Sequence, residues 1–352
     1  MDSLEKIKDT VTSDEESIFD DVLPESELAP VSSIPILPQL SVAFGLLIFV
    51  FGITYIGTAD THEDTKNTLD VRIDKLPPQT VDDGPTLKNI FDDVRLEARS
   101  AIVWDVATQR VLFNKNADDT LPLASITKLM TALVAYELLD PQEKILITRN
   151  ALKTEGDSGL LDGERFTISN LTNLTLITSS NDGATALGAE AGKAIDATGD
   201  PEALFVQAMN IKAEELGLSK MHFANSTGLD LTETEASAYG SARDVARLME
   251  YVITHITDSV TLTALDLTKI RNTNGDYHTA KNTNEYVAGI DGLIASKTGY
   301  TTLAGGNVVM AVNVGLNRPV VVAVLGSSRD GRFEDALNLI DRTRTYVEHE
   351  VK

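Results

Sequence analysis

The longest apolar stretch of the chain lies near its N-terminus. No charged residue occurs between Leu28 and Ala59, and residues 40–56 are almost entirely apolar. A run of this length can cross a bilayer as a single helix. A cleaved signal peptide is the alternative interpretation, but such peptides begin with a short basic segment, whereas this chain begins with a long acidic one. The pattern therefore predicts an uncleaved transmembrane anchor over residues 40–57.

The segments on either side of this predicted anchor have the composition of unfolded chain. Residues 1–39 are rich in Asp and Glu, carry only two lysines and are interrupted by proline, which is typical of a disordered acidic tail. Residues 58–90 are polar and contain Pro77-Pro78, which is typical of a tether. The chain is thus predicted to consist of an acidic cytoplasmic tail, an anchor, a tether and one folded domain over residues 91–348.

The spacing of apolar residues predicts strands at the two ends of the folded domain and helices in its middle. Short β-rich runs separated by turns are expected at residues 100–106, 109–114, 289–299, 307–313 and 319–325. Helices are expected at residues 125–139, 169–178, 182–192, 201–216, 241–256 and 333–348. This order predicts an α+β fold, in which an antiparallel sheet is flanked by helices and adjoined by a helical lobe.

Composition narrows the possible classes of function. The chain has 352 residues, 42% of them hydrophobic, so it can build a large packed core. It contains no cysteine, which excludes disulfides, thiolate zinc sites and cysteine nucleophiles. Its five histidines are scattered and form no His-Glu-x-x-His pair, so a zinc peptidase is not indicated. A formal net charge of −23 disfavours binding to nucleic acid.

Ser125 and Lys128 form a Ser-x-x-Lys pair at the start of a predicted helix. Residues three apart lie on one helix face, so the lysine amine can approach the serine hydroxyl and act as the base that a serine nucleophile needs. A lysine serves as a base only when burial or a nearby cation favours its neutral form, and Lys297 could supply such a cation. The spacing alone is unspecific, because Ser3 and Lys6 share it. A polar first turn of a buried helix is the alternative.

Two further motifs follow in order: Ser179-Ser180-Asn181 at a turn between predicted helices, and Lys297-Thr298-Gly299 after a β-rich run. Ser-x-x-Lys, a Ser-Asp-Asn-type element and Lys-Thr-Gly together form one catalytic set. Ser179 could relay a proton and Asn181 could hold a substrate amide, although a helix cap is the ordinary role of such a tripeptide. The third motif offers a carboxylate a cation and a hydroxyl, and its glycine lets a substrate backbone approach the strand edge.

These motifs and their neighbours resemble those of a known family. Residues 122–132 have the sequence Pro-x-Ala-Ser-x-Thr-Lys-x-x-Thr-Ala, and residues 292–301 have the sequence Gly-x-x-x-x-Lys-Thr-Gly-Tyr-Thr. Both are similar to the serine D-alanyl-D-alanine carboxypeptidases, the low-molecular-mass penicillin-binding proteins of the β-lactamase/transpeptidase-like superfamily. The resemblance extends over residues 98–347 and includes the intervening stretches 213–218, 223–229 and 241–244.

The resemblance implies an activity and a role for each motif residue. Ser125 attacks the carbonyl between the two terminal D-alanines of a peptidoglycan stem peptide, Lys128 accepts its proton, and the backbone N–H groups of Ser125 and Tyr300 bind the oxyanion. β-Lactams are expected to acylate the same serine, and neither a metal nor a cofactor is expected. The expected catalytic residues are Ser125, Lys128 and Ser179, and the expected substrate-binding residues are Asn181, Lys297, Thr298, Gly299 and Tyr300.

Other activities stay open on the same residues. A D,D-endopeptidase or a transpeptidase would use the same set. A β-lactamase would need an efficient deacylating base, and no Glu-x-x-x-Asn sequence occurs between residues 181 and 297 to provide one. A catalytically silent wall-binding protein is an alternative from another class, and the three intact motifs argue against it.

The enzyme hypothesis requires the domain to lie outside the cell, on a single-pass anchor in the cell membrane. Lys66, Arg72 and Lys75 follow the anchor closely, and local counting of basic residues would instead place this side in the cytoplasm. Long domains, however, are translocated largely regardless of such charges. We therefore expect an extracytoplasmic domain, although charge alone leaves the orientation open.

Overall fold

The computed structural model describes residues 90–156 and 158–350. The predicted tail, the predicted anchor and nearly all of the predicted tether lie outside these residues, so those three remain predictions. Within the described ranges, no helix combines the length and the apolar character needed to cross a membrane. The described residues correspond to the predicted folded domain.

A five-stranded antiparallel sheet brings together strands from the two ends of this domain. Its strands are β1 Ser100–Asp105, β2 Arg110–Lys115, β10 Leu293–Thr301, β11 Gly305–Asn313 and β12 Pro319–Ser327. Their spatial order is β10-β11-β12-β1-β2. β1 pairs with β12 along its whole length, so the last strand of the domain lies beside the first.

Side chains of this sheet alternate between its two faces, because successive residues of a strand point to opposite sides. In β11, Val308, Met310 and Val312 join a buried cluster with the C-terminal helix, α7 Gly331–Glu350. Val309 and Ala311 join a second buried cluster, which continues into the helical lobe. Both faces of β11 are thus covered, which explains why its central residues are continuously apolar.

The helical lobe contains most of the remaining helices and three small sheets. The helices are α1 Lys128–Leu138, α2 Ile168–Thr178, α3 Asn181–Ile195, α4 Pro201–Glu215, α5 Ala242–His255 and the short α6 Thr257–Val260. One small sheet has three strands, in the order β3 Leu121–Pro122, β7 Ala238–Gly240 and β6 His222–Phe223. The other two sheets have two strands each: β4 Lys144–Leu146 pairs with β5 Arg165–Thr167, and β8 Leu267–Arg271 pairs with β9 Tyr277–Lys281. Most of α1 is buried, so packing holds its N-terminal turn in place.

The predicted α+β class is confirmed, and every β-rich run expected at the two ends contributes a strand to the sheet. Several boundaries differ from the prediction by a few residues, and two of these differences have a clear structural cause. The helix predicted from residue 125 begins at Lys128, because Ala124 has a positive φ of 50° and Ala124–Thr127 form a 3-10 turn. The strand predicted over residues 289–299 begins at Leu293, because another 3-10 turn, Val287–Gly289, precedes it.

A buried carboxylate ties the end of β1 to the start of β12. Asp105 has no solvent exposure, and its Oδ2 accepts hydrogen bonds from Arg318 at 2.6 and 3.0 Å. Its Oδ1 accepts hydrogen bonds from the backbone N–H groups of Ala107 and Thr108. Burial by itself raises the pKa of Asp105, but the hydrogen bonds from Thr108 and Arg318 outweigh burial and lower it.

Asp105→Asn is therefore expected to lower the free energy of unfolding by about 2–3 kcal/mol, because it leaves Arg318 without its buried partner. Arg318 keeps an exposed partner in Glu350, which holds the loss below that of a fully buried pair. Since folding lowers the pKa of Asp105, the stabilisation is present above the pKa of an unfolded carboxyl group. It is lost as the pH falls through the lower folded value.

Urea unfolding at about pH 7 and about pH 3 measures this contribution. Asp266→Asn is the matched control, because Asp266 is exposed. We expect a clear difference between the two variants at neutral pH and a smaller one in acid. Equal losses for both variants at neutral pH would contradict the assigned role of Asp105.

Candidate active site

Ser125 lies in the 3-10 turn that leads into α1, and several contacts fix this turn. Thr127 Oγ1 donates a hydrogen bond to the carbonyl of Ala124 at 2.7 Å. The buried side chain of Asn307, in β11, donates hydrogen bonds to the carbonyl oxygens of Pro122 and Leu123 at 2.9 and 3.0 Å. The central sheet thereby holds the turn, and the partly exposed Ser125 lies at the border between sheet and lobe.

Lys128 follows one turn later and is fully buried. Its Nζ lies 3.0 Å from Ser125 Oγ, 2.7 Å from Asn181 Oδ1 and 2.6 Å from the backbone carbonyl oxygen of Thr227. Burial lowers the pKa of Lys128 to about 7, because surroundings of low dielectric constant disfavour the charged amine. A large fraction of this lysine is therefore neutral near physiological pH, as a general base requires.

The second motif lies at the junction of two helices, as predicted. Ser179 ends α2 with a positive φ of 58°, and Ser180 caps α3 by accepting a hydrogen bond from a backbone N–H in its first turn. The helix-cap alternative is thus correct for Ser180, whereas Ser179 and Asn181 contact the two buried lysines. Asn181 Nδ2 donates to the carbonyl of Glu155 at 2.7 Å, which directs Oδ1 toward Lys128.

The third motif lies in β10 and brings a second buried lysine into the same site. Lys297 Nζ donates hydrogen bonds to Ser179 Oγ at 2.9 Å and to the carbonyl of Thr298 at 2.8 Å. Burial, together with the charges of Lys128 and Arg332, lowers the pKa of Lys297 well below its ordinary value. The sequence predicted that Lys297 would favour the neutral form of Lys128 as a nearby cation, but burial alone lowers the pKa of Lys128. The effect is found in the other direction, because the charge of Lys128 contributes to the lowered pKa of Lys297.

Gly299 allows β10 to lie directly against the turn that carries the serine. A Cβ atom at Gly299 would stand 2.8 Å from the carbonyl oxygen of Leu123 and 3.2 Å from the amide nitrogen of Ser125. A side chain at this position would therefore push the strand away. Tyr300 follows and is 48% exposed, so the strand carries the predicted substrate-binding residues from Lys297 onward past the serine.

A loop that the sequence-based site did not include holds Lys128 from another side. Gly228 has a positive φ of 79°, and a Cβ atom there would stand 2.0 Å from the carbonyl oxygen of Ala124. The carbonyl of the preceding Thr227 accepts the hydrogen bond from Lys128. Asn225 Oδ1 accepts hydrogen bonds from the N–H groups of Thr227 and Gly228. This loop belongs to the stretches that carry the family resemblance, but a main-chain acceptor has no side-chain signature.

Arg332 is the second residue missed from the sequence, and it lies near the start of α7. Its exposed fraction is 7%, and its Nη1 donates to the carbonyl of Gly299 at 2.8 Å. Burial, followed by the charge of Arg329, lowers its pKa. Its Nε has no hydrogen-bond partner among residues 90–156 and 158–350. No spacing in the sequence links this arginine to the three motifs.

A cavity of about 540 Å³ opens beside these groups. Ser125, Ser179, Thr298 and Arg332 contribute to its lining. The hydroxyl of Thr298 lies 2.6 Å from that of Thr283, which also lines the cavity. A ligand in this space can therefore reach the serine hydroxyl, a threonine hydroxyl and a buried guanidinium at the same time.

The lowered pKa of Lys128 predicts how acylation depends on pH. Below about pH 7 the amine becomes protonated, so the rate constant for acylation by a penicillin is expected to fall about tenfold per pH unit. Above about pH 7 the rate constant is expected to level off. Rapid-mixing measurements from about pH 5 to about pH 9 test this, with the unfolding temperature followed in parallel. A constant rate across this range in a folded protein would be incompatible with Lys128 as the base.

Comparison with known proteins leads to the same family as the motifs. The model of peptidase family S11, described as D-alanyl-D-alanine carboxypeptidase, matches residues 88–329. The chain is 30% identical over 259 residues to the D-alanyl-D-alanine carboxypeptidase DacF of Bacillus subtilis, which covers 70% of this chain and 61% of that protein. It is 28% identical over 258 residues to a D-alanyl-D-alanine endopeptidase of Escherichia coli, and that alignment covers 71% of this chain and 76% of the endopeptidase.

A solved structure has the same fold. Penicillin-binding protein D2 from Listeria monocytogenes, in its ampicillin-bound form, aligns with a TM-score of 0.61 and 27% identity over 71% of this chain and 98% of that chain. The chain spans only about three fifths of the length of the first carboxypeptidases it matches, 61% and 62%. The S11 model nevertheless covers more than half of the chain. The protein therefore belongs to the S11 family of D-alanyl-D-alanine carboxypeptidases.

Proposed function

We propose that the protein is a serine D-Ala-D-Ala carboxypeptidase that removes the terminal D-alanine from peptidoglycan stem peptides through an acyl-enzyme on Ser125. The observation that carries this proposal is the 3.0 Å contact between Ser125 Oγ and the buried Lys128, whose pKa is lowered to about 7. A nucleophile within hydrogen-bond reach of its base is the starting geometry of covalent catalysis. Family membership and the ampicillin-bound relative support the same function.

In the first half-reaction, the neutral amine of Lys128 takes the proton of Ser125 as Oγ bonds to the carbonyl carbon between the two terminal D-alanines. The carbonyl π-electrons move to the oxygen, and the backbone N–H groups of Ser125 and Tyr300 stabilise the resulting oxyanion. The close approach of Gly299 to the Ser125 amide supports this pairing, because it brings β10 beside that amide. Asn181 holds the substrate amide on the acyl side.

Collapse of the tetrahedral intermediate breaks the C–N bond, and the leaving nitrogen needs a proton. Ser179 supplies it and recovers a proton from Lys128. Ser179 Oγ accepts a hydrogen bond from Lys297 at 2.9 Å, which supports this direction, since its own hydrogen is then free to point at the leaving group. Water later attacks the ester carbonyl with Lys128 as the base, which releases the shortened peptide and restores the Ser125 hydroxyl.

The terminal carboxylate of the substrate binds Lys297, Thr298 and Arg332. Burial, followed by the charges of Lys128 and Arg332, lowers the pKa of Lys297 and so disfavours its charged form. A guanidinium keeps its charge under these conditions, so Arg332 supplies the lasting positive charge and Thr298 supplies a hydroxyl donor. The position of both residues in the lining of the cavity beside Ser125 supports this assignment.

The test is the intact mass of the full chain after incubation with a penicillin, followed by an assay of D-alanine release from a peptide that ends in D-Ala-D-Ala. We expect a persistent adduct of one drug molecule and release of D-alanine. Rapid hydrolysis of the drug without a lasting adduct would indicate a β-lactamase instead. A folded protein that forms no adduct and releases no D-alanine would overturn the proposal and favour the silent wall-binding alternative.

An endopeptidase is the second candidate, and the similarity to the E. coli endopeptidase over 76% of that protein favours it. The same residues would cleave a D-alanyl bond whose leaving nitrogen belongs to a second peptide. Mass spectrometry of purified cross-linked dimers and of monomeric pentapeptides, each incubated with the full chain, separates the two activities. A carboxypeptidase is expected to shorten the monomers and leave the dimers joined.

We also propose that residues 40–57 anchor the protein in the cell membrane, with the domain on the outer side. The uncharged run that contains these residues supports the anchor, and a substrate in the cell wall requires the domain to be outside. Protease added to spheroplasts that produce the full chain is expected to digest the domain. Digestion only after lysis would contradict this orientation.

A further inference from the structure

The buried guanidinium of Arg332 binds the main chain of β10 within the proposed site. Its Nη1 donates a hydrogen bond to the carbonyl oxygen of Gly299 at 2.8 Å. Gly299 precedes Tyr300, whose backbone N–H is the second proposed donor to the oxyanion. The bond to Gly299 therefore gives Arg332 a possible role besides the proposed contact with the terminal carboxylate of the substrate.

The surrounding residues hold this arginine in one position. Its Cζ lies 4.6 Å from the centre of the ring of Phe333, within the range of a cation–π contact, and Phe333 is itself buried. A Cβ atom at Gly306 would stand 3.2 Å from Arg332 Cδ, and Gly306 is the residue of β11 that pairs with Tyr300. The stem of the arginine therefore passes beside this pair, where the absence of a side chain leaves room for it.

The carbonyl of Gly299 and the N–H of Tyr300 belong to the same peptide unit. Such a unit is planar, and in the trans form, which this unit has, its C=O and N–H bonds point in opposite directions. A hydrogen bond that fixes the carbonyl therefore also fixes the direction of the N–H. A charged donor binds the carbonyl more strongly than a neutral one, and it polarises the peptide unit so that the N–H becomes a better donor.

We propose that Arg332 is a positioning residue for the oxyanion hole, which orients and strengthens the N–H of Tyr300 through the carbonyl of Gly299. This proposal rests on the proposed function, because it concerns the oxyanion that forms when Ser125 attacks. It is separate from the contact between Arg332 and the terminal carboxylate. The bonds that form and break in the reaction are unchanged, and Arg332 transfers no proton.

A substrate without a terminal carboxylate separates the two roles. A D-alanyl thioester with an uncharged leaving thiol still forms an oxyanion when Ser125 attacks it. For the full chain, Arg332→Met is expected to lower kcat/KM for this thioester about tenfold, less than the loss of about 10²–10³-fold that follows removal of a whole oxyanion donor. An arginine that serves only the carboxylate would leave this value unchanged. Arg329→Met is the matched control, because Arg329 is exposed at the same cavity, and it should keep the value of the natural chain.

Two spectroscopic readouts distinguish this role from a general loss of packing. The sequence contains a single Gly-Tyr dipeptide, Gly299-Tyr300, so the full chain labelled with carbonyl-¹³C glycine and ¹⁵N tyrosine gives one coupled carbonyl–nitrogen signal. In Arg332→Met, the loss of the hydrogen bond is expected to move this carbonyl signal upfield. In the acyl-enzyme formed with a penicillin labelled at its β-lactam carbonyl, the infrared frequency of the ester carbonyl is expected to rise, because a weaker N–H donor polarises it less. Arg329→Met should change neither readout.

An unchanged thioester value in a folded Arg332→Met variant would overturn the proposal and leave the carboxypeptidase intact. A lower value with both spectroscopic signals unmoved would also overturn it, because the effect would then be one of packing alone. If Arg332→Met does not fold, Arg332→Lys replaces it. This variant keeps the charge but lacks the planar fork of donors, and it is expected to change all three readouts in the same direction. A natural chain that forms no acyl-enzyme would overturn the proposed function and this proposal with it.

Discussion

Ser125→Ala is expected to abolish the penicillin adduct and to reduce D-alanine release by at least about 10⁴-fold. Alanine has no atom that can bond to the carbonyl carbon, and where a nucleophile and its base act as a unit, the loss of the nucleophile costs nearly as much as the loss of the whole unit. Lys128 keeps Asn181 and Thr227 as hydrogen-bond acceptors, so the fold should be preserved. Intact mass after penicillin treatment and the rate of D-alanine release measure the two effects.

Two other serine substitutions sharpen this result. Ser219→Ala is the matched control, because Ser219 is exposed just beyond α4, and it should change neither readout. Ser179→Ala is expected to retain the adduct but to form it about 10²-fold more slowly, because it removes the proposed proton relay and spares the proposed nucleophile. An undiminished adduct in Ser125→Ala, at an unchanged unfolding temperature, would show that another residue is the nucleophile.

Gly228→Ala is expected to lower the free energy of unfolding by about 3 kcal/mol and to slow acylation by about 10²-fold. The added methyl group would stand 2.0 Å from the carbonyl oxygen of Ala124 and 2.7 Å from Thr127 Oγ1, so the loop must move away from the turn of the nucleophile. The carbonyl of Thr227 moves with it and no longer orients Lys128. A displacement of about 1 Å near reacting groups can cost about 10²-fold in rate.

Gly217→Ala separates the cost of the backbone conformation from the cost of this contact. Gly217 also has a positive φ, of 67°, but no atom lies within 4 Å of a Cβ placed there. This variant is expected to lose about 1 kcal/mol of stability and to keep its acylation rate. Urea unfolding and penicillin acylation measure both variants. Equal losses in the two would mean that the contact between loop and turn has no importance for the site.

The motif residues could be predicted because their chemistry depends on residue type and on order along the chain. Ser125 and Lys128 lie three residues apart, so local geometry alone brings the amine to the hydroxyl. Ser179 and Lys297, which form a hydrogen bond, lie 118 residues apart in the sequence, so no local rule predicts their contact. For that pair, the known order of the catalytic set supplied the connection.

The residues that were missed act through tertiary packing. Thr227 contributes its main-chain carbonyl, a group that every residue possesses, and it is placed by the contact of the next glycine with the turn. Arg332 reaches the carbonyl of Gly299 only because α7 packs against the sheet in a particular position. The start of α1 was predicted too early for a related reason. A positive φ is unfavourable for Ala124, so the surrounding structure imposes it against the local preference.

The three oxygens around Lys128 Nζ also determine which hydrogen bond can reverse. A protonated amine has three hydrogens, one each for Ser125 Oγ, Asn181 Oδ1 and the carbonyl of Thr227. A neutral amine has two hydrogens, and a lone pair takes the third position. The amide and carbonyl oxygens have no hydrogen to offer that lone pair, whereas the serine hydroxyl has one. Loss of a proton from the lysine thus reverses the bond to Ser125 alone, and the serine changes from acceptor to donor before any substrate arrives.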